Sequence, residues 1–419
     1  MTMANVYMSV LGASKYFPCT YVHNQGHLEE AFSNVVFVQE ATAKLMCRNW
    51  SKEDRIVIFL TDLARERNWI DGGQDTGSRG LGAALRTLGL QPSIEDVRIK
   101  DGRDQQEIWE NFDLILGEIK NGDSIVFDIT HSFRYLPMLA IIVLNYAKVT
   151  RSVKIEKILY GNWEAREGDR APIVDLTPFD TLLDWTSSVD LFIKAGDSSR
   201  ASQLLAQTPA SIDPDATDHL AARMIDFTRN MATCRSKLLS SSASRLKQAA
   251  ATFQRIASQK VLLELMSYLE SGLQTFTGDE VQDMLAAVEW CLKHHLIQQG
   301  FTILNEGLVT FLCLKAGQDH TNDVIRQIAS SAPFCVSKDE QEWKGKAGEH
   351  KDITREIIAV LRDEPDLLKF FKGKLRIKIA SYRNDLNHAG FAQPSRESVE
   401  FEEKLREIIE EVKQLLQHA

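Results

Sequence analysis

"SIVFDITHSFR" (residues 124–134) joins a short apolar, β-branched run to a segment of small, hydroxylated and charged residues. A long apolar stretch follows at 135–149 and has the length and composition of a helix. A buried strand that ends in polar residues and leads into a helix is typical of a parallel α/β sheet. This stretch therefore predicts one repeating unit of such a sheet.

The same alternation recurs over about the first 180 residues. Further strand-like runs lie at 5–12, 55–61, 154–161 and, more weakly, 94–100. Amphipathic stretches that favour helices lie at 28–48, 104–120 and 135–149. Strands that alternate with helices predict a largely parallel, doubly wound sheet with right-handed crossovers.

The ends of these strands are unusually polar. In doubly wound sheets, ligands bind outside the carboxyl ends of the strands, where the strand order reverses. Helix starts, hydroxyl groups and arginines bind phosphates, and aromatic rings stack on bases. We therefore expect a phosphate-rich, base-containing ligand to contact the residues at these ends, which are Gly12, Ala13, Ser14, Thr61, Asn68, Trp69, Thr130, His131, Ser132, Arg134, Gly161, Asn162 and Trp163.

Two neighbouring features are interpreted as structural. Asp128 is expected to orient the loop that follows it rather than to ligate a metal. "HNQGH" (23–27) is expected to be a loop near the end of the first strand.

From about residue 186 the pattern changes to helical repeats of apolar residues. Turn-rich breaks at 208–215 and 275–279 suggest a helical connecting segment followed by a terminal bundle. The expected fold class is thus α/β plus all-α. One of the expected helices, 366–389, contains Gly373, so its continuity through that residue is left open.

Composition limits the class of protein. The chain has 419 residues, of which 44% are hydrophobic and 26% are charged, as in folded globular proteins. A formal net charge of −9 argues against non-specific binding of duplex nucleic acid over the whole surface. The six cysteines show no Cys-x-x-Cys spacing and are expected to be reduced, which favours the cytoplasm. Neither a leader nor a run of about 18 apolar residues is evident, so membrane insertion is not expected.

"SYRNDLNHAG" (381–390) carries a second polar cluster, on the helix expected at 366–389. At about 100° per residue, one arc of this helix carries Arg383, Asn384, Asn387 and His388. The opposite side carries an apolar stripe made of Leu375, Ile379, Tyr382 and Leu386. A solvated helix face would normally mix Glu and Lys, whereas this one carries residues that bind phosphate and transfer protons.

Arg383 and His388 are separated by about 7.5 Å along the helix axis, because each residue rises about 1.5 Å. One copy can therefore bracket a phosphate only loosely. Two copies related by a two-fold axis would place two arginines and two histidines around one phosphodiester, so we expect a composite site in a homodimer.

The pattern Arg-Asn-x-x-x-His, present as Arg383, Asn384 and His388, resembles the catalytic motif of HEPN-domain ribonucleases. "GFTILNEGLVTFL" (300–312) resembles the opening helices of such domains. The strand ends of the first half together resemble the CARF domain of CRISPR-associated type III accessory ribonucleases. The segments that carry this resemblance are "LGAS" (11–14), "FLT" with "NW" (59–61 and 68–69), "DITHSFR" (128–134) and "YGNWEAR" (160–166).

The resemblance spans nearly the whole chain and is least distinctive in its middle helical segment. It implies a Rossmann-like CARF domain at 1–185, a helical connecting segment at 186–280 and a HEPN bundle at 281–419. It further implies that the CARF domain binds a cyclic oligoadenylate as activator, and that a HEPN homodimer, or a higher multiple of dimers, cleaves single-stranded RNA. No cofactor is implied.

The chemistry of RNA cleavage suits these residue types. The ribose 2′-OH can attack its own phosphate if a group accepts its proton and another stabilises the charge that develops. His388 can act as acid or base, and Arg383 can hold the phosphate, so no metal is needed. Asn384 and Asn387 could orient substrate, and Lys374 and Lys378 belong to a basic run that could guide the RNA strand.

Other interpretations stay open. His131 and Arg134 could form a second catalytic pair that degrades the activator, rather than only binding it. The chain could also be a nucleotide-sensing binding module or regulator without nuclease activity. A third possible class is a metabolic enzyme that acts on a mononucleotide. Such enzymes usually bind phosphate with a glycine-rich loop, and this sequence shows no loop of the usual kind.

Overall fold

The computed structural model describes residues 3–25, 28–73, 79–130, 134–200, 214–256, 260–391 and 396–418. The chain divides into two compact units, Met1–Asp180 and Thr181–Ala419. The described residues of the first unit form a sheet with helices, and those of the second are helical without strands. This confirms the fold class expected from the sequence.

A mixed sheet forms the centre of the first unit. Among the described residues its strands are β1 (Asn5–Leu11), β2 (Cys19–Gln25), β3 (Leu28–Val35), β4 (Arg55–Leu60), β5 (Ser93–Arg98), β6 (Ser124–Asp128), β7 (Lys154–Gly161) and β8 (Arg170–Asp175). They lie in the order β3-β2-β8-β7-β6-β1-β4-β5. Strands β7, β6, β1, β4 and β5 are parallel, β8 is antiparallel to β7, β2 is parallel to β8, and β3 is antiparallel to β2.

The parallel strands form where the sequence is continuously apolar because both of their faces are covered. In β4, Ile56 and Ile58 pack into a core on one face of the sheet, whereas Val57 and Phe59 pack into a core on the other. All four side chains are fully buried. Each strand expected from an apolar run is present, and each belongs to this parallel region.

Two expectations for this unit are wrong. The stretch 28–48 is not one helix, because β3 (Leu28–Val35) precedes helix α1 (Val38–Cys47). Within "HNQGH" (23–27), residues 23–25 belong to β2 rather than to a loop. β2 pairs far along the chain, with Val22 beside Pro172 of β8, and such long-range pairing leaves little local signal; β3 pairs with β2 alone.

Helices cover the sheet. The helices of this unit are α1 (Val38–Cys47), α2 (Asp62–Ala64), which continues as a π-helical turn (Arg65–Trp69), α3 (Leu81–Arg86), α4 (Gln105–Gly117), α5 (Leu136–Arg151) and the start of α6 (Thr177–Ala195). α5 buries one apolar face on the sheet through residues such as Leu139 and Val143. Its other face exposes Met138, Ile142 and Val149, so this helix is apolar on both sides.

The described part of the second unit is built from helices alone. They are the remainder of α6, then α7 (Pro214–Ala232), α8 (Ser236–Ile256), α9 (Lys260–Gly272), α10 (Glu280–Lys293), α11 (Ile297–Lys315), α12 (Asp323–Cys335), α13 (Gly345–Glu349), α14 (Lys351–Asp363), α15 (Pro365–Lys372), α16 (Lys374–Asn387) and α17 (Ser398–His418). One apolar core runs from Trp185 to Val412. Helices on either side of residue 280 therefore share that core.

The helix expected at 366–389 is interrupted at Gly373, which separates α15 from α16. The backbone there is extended, with ψ of 170°. A Cβ at this position would lie 2.5 Å from the carbonyl oxygen of Lys369, which explains the glycine. The extended residue therefore ends α15, and α16 begins after it as a separate helix.

Candidate functional site

The four polar strand ends predicted to bind a ligand lie side by side. β7, β6, β1 and β4 are consecutive in the sheet and parallel, so their carboxyl ends share one edge. The chain adds β4 and β5 on one side of β1, and later β6 and β7 on the other. The order of the strands thus reverses between β1 and β6, which is the position where ligands bind in sheets of this kind.

Asp128, at the end of β6, organises this edge. Its Oδ1 accepts hydrogen bonds from the Thr130 amide (3.0 Å) and hydroxyl (2.5 Å), and its Oδ2 accepts from Tyr7 (3.1 Å) and Thr42 (2.8 Å). Burial, together with the nearby Asp128 carboxylate, raises the pKa of Tyr7 well above its usual range, so its hydroxyl stays a donor. Asp128 therefore orients its loop, as expected.

Thr130 links two strand ends. Its hydroxyl donates to Asp128 and accepts from the amide of Gly161 at 2.7 Å. Gly161 is required at the end of β7, because a Cβ there would lie 2.4 Å from Cγ2 of Val38. The hydroxyl of Thr130 is thus used within the protein, and its predicted contact with a ligand stays a prediction.

Asn68 holds the loop after β1. Its Nδ2 donates to the carbonyl oxygens of Gly12 (2.7 Å) and Ser14 (2.9 Å). The Gly12 amide donates to the hydroxyl of Tyr16 at 2.9 Å, and Arg67 donates to the Ala13 carbonyl at 3.4 Å. These bonds fix the path of residues 12–14 at the sheet edge.

The remaining predicted residues differ in exposure. Trp69 is buried against Gly82, and Thr61 is buried where it caps α2 by accepting from the amide of Ala64. Near β7, Trp163 is half-buried, with the Arg166 guanidinium 4.3 Å from its ring centroid. The positions of the other predicted residues are as follows: Asn162 caps the turn at Trp163–Ala165, Arg134 is exposed, and His131 and Ser132 lie outside the described residues.

The second predicted site lies on α16. Ile379 is buried in the core, and Tyr382 and Leu386 pack against it, as the apolar stripe predicted. The polar residues fall on the other side: Arg383 is half-buried, whereas Asn384, Asn387 and His388 are exposed. Lys374 and Lys378 belong to α16, but their side chains, like that of Leu375, lie outside the described residues.

Arg383 has partners that the sequence reasoning missed. Its Nη1 lies 3.3 Å from Oε1 of Glu306, on α11. Oε2 of the same carboxylate lies 2.8 Å from Nη2 of Arg326, on α12. Glu306 thus pairs with two guanidinium groups. The sequence pattern could not indicate its contact with Arg383, because the two residues are 77 positions apart. The one signal in the sequence was that Glu306 is the single charged residue of the stretch 300–312.

A buried ion pair secures the end of α16. The Asp385 Oδ2 accepts from the Arg396 guanidinium at 3.1 Å, and the same guanidinium donates to the Ser381 hydroxyl at 2.7 Å. Arg396 also lies 4.1 Å from the ring centroid of Tyr382, and the Tyr382 ring is stacked on that of Phe301.

His388 caps α16 immediately after this pair. Its amide donates to the Asn384 carbonyl at 3.0 Å, and the Gly390 amide donates to the Asp385 carbonyl at 3.2 Å. Ala389 and Gly390 both have positive φ, which turns the chain away from the helix. Asn387 accepts from Gln298 at 3.1 Å through its side-chain oxygen. The structure thus places Arg383, Asn384, Asn387 and His388 together on one surface.

Comparison with known proteins shows that part of the chain is similar to a CRISPR-associated protein. No protein-family model matches it. Over 111 residues it is 40% identical to a CRISPR-associated protein of Methanocaldococcus jannaschii. The match covers 26% of this chain and 18% of the relative, so the chain spans less than a fifth of that protein's length. Among the described residues, no helix combines the length and apolar character needed to cross a bilayer.

Proposed function

We propose that this protein acts in CRISPR defence as an endoribonuclease activated by a cyclic oligoadenylate. In this proposal residues 1–185 form the domain that senses the activator, and residues 281–419 form a HEPN domain that cleaves single-stranded RNA. Residues 186–280 form a helical segment that connects these two domains. The observation that carries the proposal is the set formed by half-buried Arg383 with exposed Asn384 and His388 at the end of α16. The similarity to a CRISPR-associated protein supports the defence role.

The arrangement on α16 suits phosphodiester cleavage without a metal. Exposed His388 can exchange protons with a ribose hydroxyl or a leaving oxygen. Arg383, oriented by Glu306, can bind a phosphate through charge-assisted hydrogen bonds. The apolar side of the helix is packed on the core, which holds these groups on a rigid support.

The edge of the sheet supports the sensing role. Residues 12–14 run along this edge, fixed by Asn68 and Tyr16, close to the reversal of strand order. Trp163 and Arg166 present an aromatic ring and a guanidinium after the end of β7, on the same edge of the sheet. Such groups bind bases and phosphates respectively.

A homodimer is supported by α5. Its outward face exposes Met138, Ile142 and Val149, which recur at the spacing of one helix face. Tyr146 and Trp109 extend this apolar surface. A patch of this kind on a helix that already buries its opposite face is typical of an interface, and a second copy would cover it.

Cleavage of a fluorophore-quencher single-stranded RNA tests the proposal. The purified protein is assayed in EDTA, without activator and with cyclic tri-, tetra- or hexa-adenylate separately. We expect one ring size to accelerate cleavage and Arg383→Ala or His388→Ala to abolish it, while the control Lys293→Ala keeps it. Undiminished cleavage by both site variants would show that the reaction occurs elsewhere.

The alternative, a nucleotide-sensing module that does not cut, predicts tight binding of one ring with no cleavage under any condition. Loss of the activator over time would instead point to degradation in the sensing unit. Chromatography of the activator after incubation, with Arg134→Ala as the comparison, distinguishes degradation from simple binding.

A further inference from the structure

A cavity of about 570 Å³ lies within the second unit. It is bounded by the start of α8, the start of α10, the middle of α11 and the loop that leads into α12. Its volume falls within the range of roughly 300 to 1,000 Å³ typical of small-molecule sites. None of the residues predicted from the sequence to bind a ligand lines it.

The wall of the cavity combines apolar and hydrogen-bonding surfaces. Leu239, Met284 and Ile303 supply buried apolar side chains. The hydroxyl oxygen of Ser236 is buried and, within the described part of the chain, has no hydrogen-bond partner. A buried hydroxyl without a partner is costly, so this group is suited to a ligand that supplies one.

The carboxylates of the cavity are already engaged. Asp283 accepts from the amides of Thr277 and Gly278, at 2.6 and 3.1 Å. Glu280 lies 2.7 Å from His320 Nε2, and Glu306 is held by Arg326. Each of these carboxylates therefore has its partners within the protein, and the charge of Glu306 is offset by that of Arg326.

Two cations at the rim are not engaged in this way. Arg235 and Lys237 line the cavity with exposed side chains. Neither forms an ion pair with another residue that the structure describes. Their positive charge is thus available to a phosphate.

Glu306 connects the cavity to the candidate catalytic helix. Its carboxylate lines the cavity and also lies 3.3 Å from Arg383. A ligand in the cavity would therefore lie beside the residue that contacts Arg383, the arginine that would hold the scissile phosphate.

We propose that the cavity binds one nucleotide of the RNA substrate. Its base would lie against Leu239, Met284 and Ile303 with an edge toward the Ser236 hydroxyl, and its phosphate would face Arg235 and Lys237. This inference rests on the proposed nuclease function, and it adds a subsite that sets affinity and sequence preference next to the cleaved bond.

Calorimetric titration of the full-length protein with each of the four ribonucleoside 5′-monophosphates, in EDTA, tests the site directly. At least one of them is expected to bind. The double variant Arg235→Ala/Lys237→Ala is expected to raise its Kd about tenfold, because it removes charge-assisted contacts. The matched control Lys293→Ala/Lys338→Ala removes two exposed cations that do not line the cavity and is expected to change Kd less than about twofold.

Cleavage kinetics give a second readout. The same double variant is expected to raise KM for RNA about tenfold with kcat little changed, because it removes binding and not proton transfer. Ser236→Ala is expected to alter which sites are cut, as judged by sequencing the RNA ends.

A Kd that the double variant leaves unchanged would place nucleotide binding elsewhere in the chain and overturn the inference, as would the absence of binding by all four. A protein that cuts no RNA under any condition refutes the nuclease proposal, yet the titrations still decide whether the cavity binds nucleotides.

Discussion

The Arg396→Ala substitution is predicted to loosen the end of α16 strongly, because it breaks a buried ion pair. Asp385 is 1% exposed and Arg396 is 15% exposed, and their atoms lie 3.1 Å apart. Truncation of Arg396 leaves the Asp385 carboxylate buried without its cation. Its Oδ1 has no partner among the described residues, and its Oδ2 would keep the backbone amide of residue 396, at 3.2 Å. Removal of one member of a buried pair typically costs about 3 to 5 kcal/mol.

A matched pair gives the control. Arg406 and Glu402 also lie 3.1 Å apart, but their side chains are 64% and 36% exposed. Solvent screens such a pair, so Arg406→Ala is expected to cost less than about 1 kcal/mol. The two substitutions remove the same chemical group at the same distance from a carboxylate, but they differ in burial and in the contacts of Arg396 with Ser381 and Tyr382.

Native-state hydrogen exchange measures the loss of stability within α16 itself. The free energy of opening of the amides in α16 is compared between the parent protein and each variant. Asp385→Leu/Arg396→Ala is expected to be more stable than Arg396→Ala alone, because it removes the stranded charge. If Arg396→Ala cost no more than Arg406→Ala, Asp385 would have reached solvent or another donor, and the reasoning about the buried pair would be wrong.

Three further perturbations test the rest of the molecule. Gly161→Val should destabilise the first unit by about 1 to 3 kcal/mol through overpacking, as measured by urea unfolding, and should weaken binding of the activator, as measured by titration. Gly117→Ala adds a Cβ that meets no neighbouring atom, so it should cause neither effect. Burial lowers the pKa of His294 below its ordinary value of 6.5, so the unfolded chain takes up this proton first and stability should fall as pH drops below about 6.5. His294→Gln should flatten that dependence between about pH 7.5 and 5.5 in denaturation experiments, and the exposed His295→Gln should keep it. Ile142→Glu should convert a dimer to monomers in sedimentation, and a dimer that persisted would place the interface elsewhere.

The parallel part of the sheet could be predicted because burial on both faces leaves a strong local pattern. "RIVIFL" in β4 is apolar at nearly every position, and both faces are covered. β3, with the sequence "LEEAFSNV", is an edge strand of the sheet. It pairs only with β2, so charged residues are tolerated in it. Its polar composition and the helix that follows it explain why the stretch 28–48 resembled one helix.

The candidate site on α16 was predictable for a related reason. Arg383 and His388 are five residues apart on one helix, and helix geometry alone brings them to one surface. Glu306 and Arg326 come from other helices, and no local spacing indicates a contact over 77 positions. The sequence does not indicate that Asp385 is buried, because its partner Arg396 lies beyond the end of the helix.

The shared carboxylate of Glu306 has a consequence for ionic strength. Arg383, Arg326 and Glu306 together carry one net positive charge rather than two. An RNA phosphate that binds this group would neutralise its charge and release about one counterion from the RNA. A plot of log KM against the logarithm of the salt concentration should therefore have a slope of about 0.7 from this contact. Conversion of Glu306 to Gln would double the local charge, and the salt dependence should steepen even if RNA bound more tightly in dilute buffer.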